Sequence, residues 1–135
     1  MQWQKNMKLI DANVLIRCIL NDLPEMTEKA VEVINAGAYT KPEILAEVVY
    51  VLQKVYSVQR PQIRDILKNI LEIVHCPEKE CIICAIDIYA SVSLDFIDCL
   101  LIAYHRINHE NIFSFDKKLN KQLSKMETDY DGNIN

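Results

Sequence analysis

The strongest constraint in this chain is a pattern that occurs twice: a short apolar run, then an aspartate, then a helix-forming segment. Near the start it reads Lys8-Leu9-Ile10-Asp11-Ala12-Asn13-Val14-Leu15-Ile16-Arg17. Near the end it reads Asn111-Ile112-Phe113-Ser114-Phe115-Asp116-Lys117. Met7 to Ile10 has the character of a buried parallel strand. Asp11 falls where that strand ends, and Asn13 is a good N-cap for the helix beyond it. In open α/β sheets ligands bind outside the carboxyl ends of the strands. An acid at a strand end is therefore placed for chemistry.

Between the two patterns, prolines and glycine punctuate helical spacing. Val14 to Leu20 forms a first helix. Pro24 opens a second, with Glu25 and Glu28 at its positive end and Gly37 as its C-cap. Ala38 to Thr40 reads as a second strand. Pro42 starts a helix to about Tyr56, and Pro61 starts another in which Ile63, Ile66, Leu67, Ile70 and Leu71 recur at helical spacing. Ile73 to Cys76 is predicted as a third strand. A helix from Pro77 to about Tyr89, one from Leu94 to about Ile107 with Ser93 as cap, the strand 111–115 and a closing helix 117–125 complete the chain. Strands alternating with helices predict a parallel sheet covered on both faces, in one domain spanning residues 7–125. Residues 1–6 and 126–135 read as terminal tails.

Two further acids sit among apolar neighbours. Glu47 lies in Ile44-Leu45-Ala46-Glu47-Val48-Val49-Tyr50-Val51-Leu52, and Asp98 in Phe96-Ile97-Asp98-Cys99-Leu100-Leu101. A helix apolar nearly all round is buried, where an ionised carboxylate is costly unless paired or on a metal. Asp95, one turn before Asp98, suits the helix dipole. Four carboxylates drawn together repel and raise one another's pKa unless a cation compensates. Hard oxygen donors with only three histidines in the chain point to Mg²⁺ or Mn²⁺ and away from zinc. Cys81-Ile82-Ile83-Cys84 has a zinc-like spacing but no second pair. His105 and His109 are four apart with no glutamate between them to act as base.

Composition sets the outer bounds. No apolar run approaches the ~18 residues of a membrane span, and no signal peptide is visible. Five cysteines, an odd number, stand mostly in apolar runs, which predicts a reducing, cytoplasmic setting without disulfides. The net charge of −4 argues against a general nucleic-acid binder, yet Lys117, Lys118, Lys121 and Lys125 cluster after Asp116, and Arg17 follows Asn13 by about one turn.

Taken together, Ile10 to Arg17, Leu45 to Leu52, Leu94 to Ala103 and Phe113 to Asp116 resemble the PIN-domain family, and within it the VapC-type toxins of toxin–antitoxin pairs. The resemblance spans about Lys8 to Leu123. It implies a three-layer α/β/α sandwich with a mostly parallel central sheet. It also implies a Mg²⁺- or Mn²⁺-dependent endoribonuclease that works as a homodimer bound by a cognate antitoxin. Asp11, Glu47, Asp98 and Asp116 match the family's acidic quartet. Asn13 matches the small polar helper beside the first acid, Ser114 the hydroxyl residue before the last, and Asp95 an acid found in many members. Ala12 departs from the family's frequent threonine. On this reading Arg17, Lys117, Lys118 and Lys121 contact RNA. Two rivals are a PIN-like binding or scaffold module without turnover, and a phosphorylation receiver domain. The latter needs a phospho-accepting aspartate after the third strand, where this chain has His75-Cys76.

Overall fold

The computed structural model describes the backbone of residues 6–134 and the side chains of residues 6–125. It divides into two compact units, residues 1–79 and 80–135. The first unit holds β1 (Lys8–Leu9), α1 (Ala12–Leu20), α2 (Pro24–Asn35), β2 (Ala38–Tyr39), α3 (Pro42–Lys54) and α4 (Arg60–Ile73). The second holds α5 (Lys79–Ser91, all but its first residue), α6 (Phe96–Asn108) and α7 (Lys117–Ile134).

In the first unit β1 and β2 pair in parallel, Lys8 opposite Ala38 and Leu9 opposite Tyr39. The Ile10 N–H extends the ladder by donating to the Tyr39 carbonyl at 3.0 Å. On the other side of β2 a single parallel bridge joins Tyr39 to His75, with Thr40 N–H to His75 O at 2.8 Å and His75 N–H to Ala38 O at 3.2 Å. The α/β character is therefore present, with β2 between β1 and His75. The expected sheet is narrower than predicted. Ile73 is the last residue of α4, and only His75 of the third predicted strand joins the ladder.

Helix placement follows the apolar spacing. Leu45, Val48, Val49 and Leu52 are the buried stripe of α3, and Ile63, Leu67, Ile70 and Leu71 that of α4. A fully buried leucine contributes about 1.5–3 kcal/mol over an exposed one, so such stripes fix which face turns inward. α1 packs on both α2 and α3. Pro24, Pro42 and Pro61 each stand in the first turn of a helix, where the missing N–H has no partner to lose. Pro77 does not start one: Glu78 has φ of 59° and α5 begins at Lys79. Gly37 follows Ala36, which is the C-cap of α2, and takes φ of 109° on the way into β2.

In the second unit α5 buries Cys81, Ile82, Ala85, Ile86, Ile88 and Tyr89, and α6 buries Phe96, Cys99, Leu100, Ile102 and Ala103. Tyr89 and Phe96 meet edge to face at 5.9 Å. α6 packs on α7, whose buried residues among those described are Leu119 and Leu123. The segment 111–115 is not a strand. α6 starts at Phe96 with Asp95 in the cap position, not Ser93. α7 continues past Lys125 to Ile134. The predicted amino-terminal tail lies outside the described residues except for Asn6, and so do the side chains of the tail at 126–135.

Candidate active site

Asp11 takes over where the β1 ladder ends. Its Oδ1 accepts from Val14 N–H at 3.1 Å, so Asp11 is the N-cap of α1. Asn13, expected in that role, lies inside the helix with its side chain exposed. The preference is geometric: the cap residue needs extended backbone and an oxygen that reaches the N–H three residues on. The strand end leaves Asp11 in that state. The cap uses one carboxylate oxygen of Asp11 and leaves the second uncommitted among the described residues.

Glu47 stands on α3, which packs on α1. The expected burial of Glu47 is corrected: its side chain is exposed. Its neighbours in sequence are apolar, but at helical spacing its companions are Glu43, Tyr50 and Lys54, all exposed. α3 is amphipathic, and Glu47 sits on its solvent stripe. Arg17 is committed within this unit. Its side chain is 12% exposed and its Nη1 bonds Asp22 at 2.9 Å. A shallow cleft of about 200 Å³ between α1 and α2 is lined by Asn13, Val14, Arg17, Met26, Lys29 and Val33, among others.

In the second unit the acids affect one another. Asp98, in the first turn of α6, is half-buried. Its carboxyl is pushed above the ordinary aspartate value first by burial, then by the charge of Asp116, then by that of Asp95. Asp116 caps α7 as Asp11 caps α1: its Oδ1 accepts from Leu119 N–H at 2.9 Å. Its own N–H donates to Ser114 Oγ at 2.9 Å, and Asn120 Nδ2 donates to the Ser114 carbonyl at 2.8 Å. Ser114 thus positions Asp116 through the backbone. Asn120 was not singled out from the sequence, since an isolated asparagine in a polar helix carries no signal.

This donor chemistry fits a divalent cation. A carboxyl held above its usual pKa by burial and by two further carboxylates is relieved by a positive charge. Among the described residues no three His, Cys, Asp or Glu side chains draw together as a ligand set. Mg²⁺ does not require one, because it keeps several waters and takes one or two carboxylates plus substrate phosphates. The cysteines and histidines fit less well. Cys81 is buried and Cys84 half-buried on α5. His105 Nδ1 lies 2.8 Å from the Glu110 carbonyl, and His109 is the left-handed C-cap of α6.

A comparison with curated proteins finds no match, and one with solved structures finds none either. The PIN domain family does match, over residues 8–122. That range includes both units' acids and most of the chain. The chain therefore belongs to the PIN domain family, whose members are generally nucleases.

Proposed function

We propose that this protein is a Mg²⁺- or Mn²⁺-dependent endoribonuclease, the toxin of a toxin–antitoxin pair of the VapC type. The observation that carries the reading is the carboxyl of Asp98, raised by burial, Asp116 and Asp95, inside a chain of a nuclease family. Asp11, Glu47, Asp98 and Asp116 would hold the metal, directly or through water. A divalent ion held there would lower the pKa of a bound water from about 16 and would so supply hydroxide at neutral pH.

The remaining work falls to this chain's residues. Ser114 holds Asp116 in place through the bond to its N–H. Asp95 and Asn13 would orient ligands or water beside Asp98 and Asp11. Lys117, Lys118 and Lys121 are exposed and would meet RNA phosphates, which fixes register without reading sequence. Arg17, tied to Asp22, would have to leave that bond to join them. A cognate antitoxin and a homodimer follow from the VapC resemblance, and a cytoplasmic setting from the five cysteines, odd in number and mostly in apolar runs. Among the described residues no helix is long and apolar enough to cross a membrane.

Total RNA incubated with and without EDTA, using wild type and Asp98→Asn, tests the reading. Cleavage should need the metal and vanish in Asp98→Asn. Melting separates the metal's role from general damage. A hundredfold excess of Mn²⁺ over Kd stabilises by about 2.7 kcal/mol through mass action, and the variant should gain much less. Without metal the variant should be the more stable protein at neutral pH. The folded-state pKa of Asp98 lies above its unfolded value, so the native state binds more protons and the penalty grows as pH rises through that window. Below the ordinary aspartate range both states are protonated, and the variant's advantage should disappear. Retained cleavage by Asp98→Asn, with equal Mn²⁺ shifts for both proteins, would remove Asp98 from the site.

A further inference from the structure

The end of β2 carries a lysine where the local rules call for something else. Lys41 is the N-cap residue of α3, and its side chain makes no cap bond. Serine, threonine, aspartate and asparagine suit that position, because their short side chains bring an oxygen to the unpaired N–H groups of the first turn. Lysine has no acceptor to offer, and it sets a cation at the positive end of the helix dipole. Lys54, by contrast, stands in the last turn of the same helix, where a cation is favourable. Lys41 also makes no ion pair or side-chain hydrogen bond among the described residues. A residue that breaks local rules without a local compensation is expected at a functional site.

The register of the ladder says what lies beside it. Leu9 pairs with Tyr39, and Ile10 N–H donates to the Tyr39 carbonyl at 3.0 Å. Two residues beyond that pair, Asp11 and Lys41 hold matching positions at the carboxyl ends of adjacent parallel strands. Both keep extended backbone, with φ −89° and ψ 177° for Asp11 and φ −135° and ψ 159° for Lys41. Strand alternation then puts both on the face of Leu9 and Tyr39. Pro42 holds Lys41 in that conformation, since the residue before a proline is steered away from helix. The two charges do not close on each other as an ion pair. Other cations of the first unit fit the place less well. Lys8 lies at the start of β1, and Arg17, Lys29 and Arg64 are paired with Asp22, Glu32 and Asp65. A carboxylate and an ammonium side by side but unpaired suit a ligand with a negative oxygen for the lysine, next to a cation or water on the acid. A phosphodiester is such a ligand.

We propose that Lys41 holds a non-bridging oxygen of the scissile RNA phosphate beside Asp11 and stabilises the charge that grows there as the bond is cut. The proposal rests on the endoribonuclease reading above. Lys41 keeps its proton throughout: its ammonium donates hydrogen bonds to the phosphate and takes no part in proton transfer. A donor already in place where charge develops acts mainly on the chemical step, so its loss should fall on kcat more than on KM. On this view α3 forgoes a cap so that a cation stands at the strand edge.

Three variants, Lys41→Gln, Lys41→Arg and Lys41→Ser, test this. With Mn²⁺ and a short RNA that wild type cuts, Lys41→Gln should lose about a hundredfold in kcat, the effect of removing one such donor. Its KM should stay within about threefold, and Lys41→Arg, which keeps the charge, should recover most of the lost rate. Binding supplies a readout that needs no turnover. In EDTA, the slope of log Kd against log salt for a labelled RNA strand should shrink by about 0.7 in Lys41→Gln, as for one lost phosphate contact, and hold in Lys41→Arg. Lys41→Ser should cut as slowly as Lys41→Gln yet melt about 3 °C above wild type, because serine caps α3. A lower melting temperature for Lys41→Ser would overturn the proposal, since the lysine would then be serving the fold. So would an unchanged salt slope, or full cleavage by Lys41→Gln. The nuclease reading fails separately. If wild type with Mn²⁺ cuts no RNA yet the salt slope still shrinks in Lys41→Gln, the phosphate contact stands and the enzyme does not.

Discussion

The two acids that follow apolar runs, Asp11 and Asp116, invite comparison because their local roles are the same and their surroundings are not. Each accepts the N–H three residues on through Oδ1, at 3.1 and 2.9 Å, and each opens a helix. Upstream they diverge. Residues 8–10 are tied to residues 37–39 by backbone ladder bonds. Residues 111–115 form no strand, and the bonds nearest Asp116 run through the side chains of Ser114 and Asn120. A cap is a local bargain between neighbours in sequence, whereas a strand exists only with a partner. Alternating apolar residues state that a segment is able to pair, and they leave the partner unspecified.

Substitutions at these two positions separate charge from capping. The largest effect is expected for Asp11→Asn and Asp116→Asn. Asparagine caps about as well as aspartate, so thermal melts should move little. Loss of a negatively charged metal ligand should cost cleavage roughly a hundredfold or more, at or beyond the upper end of what a supporting residue costs. Full cleavage by either variant would mark that acid as a cap alone.

Next come the residues that anchor each capped helix. Leu15 of α1 and Leu119 of α7 are both buried. Truncation to alanine should destabilise by about 2–5 kcal/mol in each case, read from urea unfolding. A markedly smaller loss for Leu119→Ala would show that α7 packs less firmly than α1, and would extend the contrast from the strands to the helices.

The smallest effects test the caps themselves. Asp11→Ala and Asp116→Ala should each lose about 1 kcal/mol of stability. Removing Asp116 also leaves the Ser114 bond intact, because that bond uses backbone N–H. If chemical denaturation shows Asp116→Ala costing much more than Asp11→Ala, the side chain of Asp116 is holding its segment as well as its helix.

Much of the architecture was legible in the sequence, for reasons visible in particular residues. Pro24, Pro42 and Pro61 marked helix starts because proline's restricted φ suits the first turn. Ile63, Leu67, Ile70 and Leu71 announced their buried face by spacing alone. Glu47 was misjudged for a related reason. Its neighbours along the chain are apolar, but counting by helical turns places it with Glu43, Tyr50 and Lys54 on the exposed side of α3. Strand extent was the least legible. His75 contributes one bridge where four residues were expected to pair, because ladder length depends on a partner far away in sequence. The family, by contrast, was readable from four motifs together, and the match over residues 8–122 agrees with the span they covered.

The distribution of thiols has a practical consequence. The five free cysteines include three that are buried and two, Cys18 and Cys84, that are partly accessible. Cys76 is pushed up to about 12 by burial and by the nearby charges of Glu43 and Glu78, so it stays an unreactive thiol across the working pH range. Burial also raises Cys18. It raises Cys84 as well, with Arg106 opposing and Asp87 adding. Maleimide labelling should therefore be confined by accessibility to Cys18 and Cys84, one in each unit, and be slow at both because burial disfavours their thiolates. A donor dye on one and an acceptor on the other would turn the native protein into a spectroscopic ruler, with no engineered cysteine required.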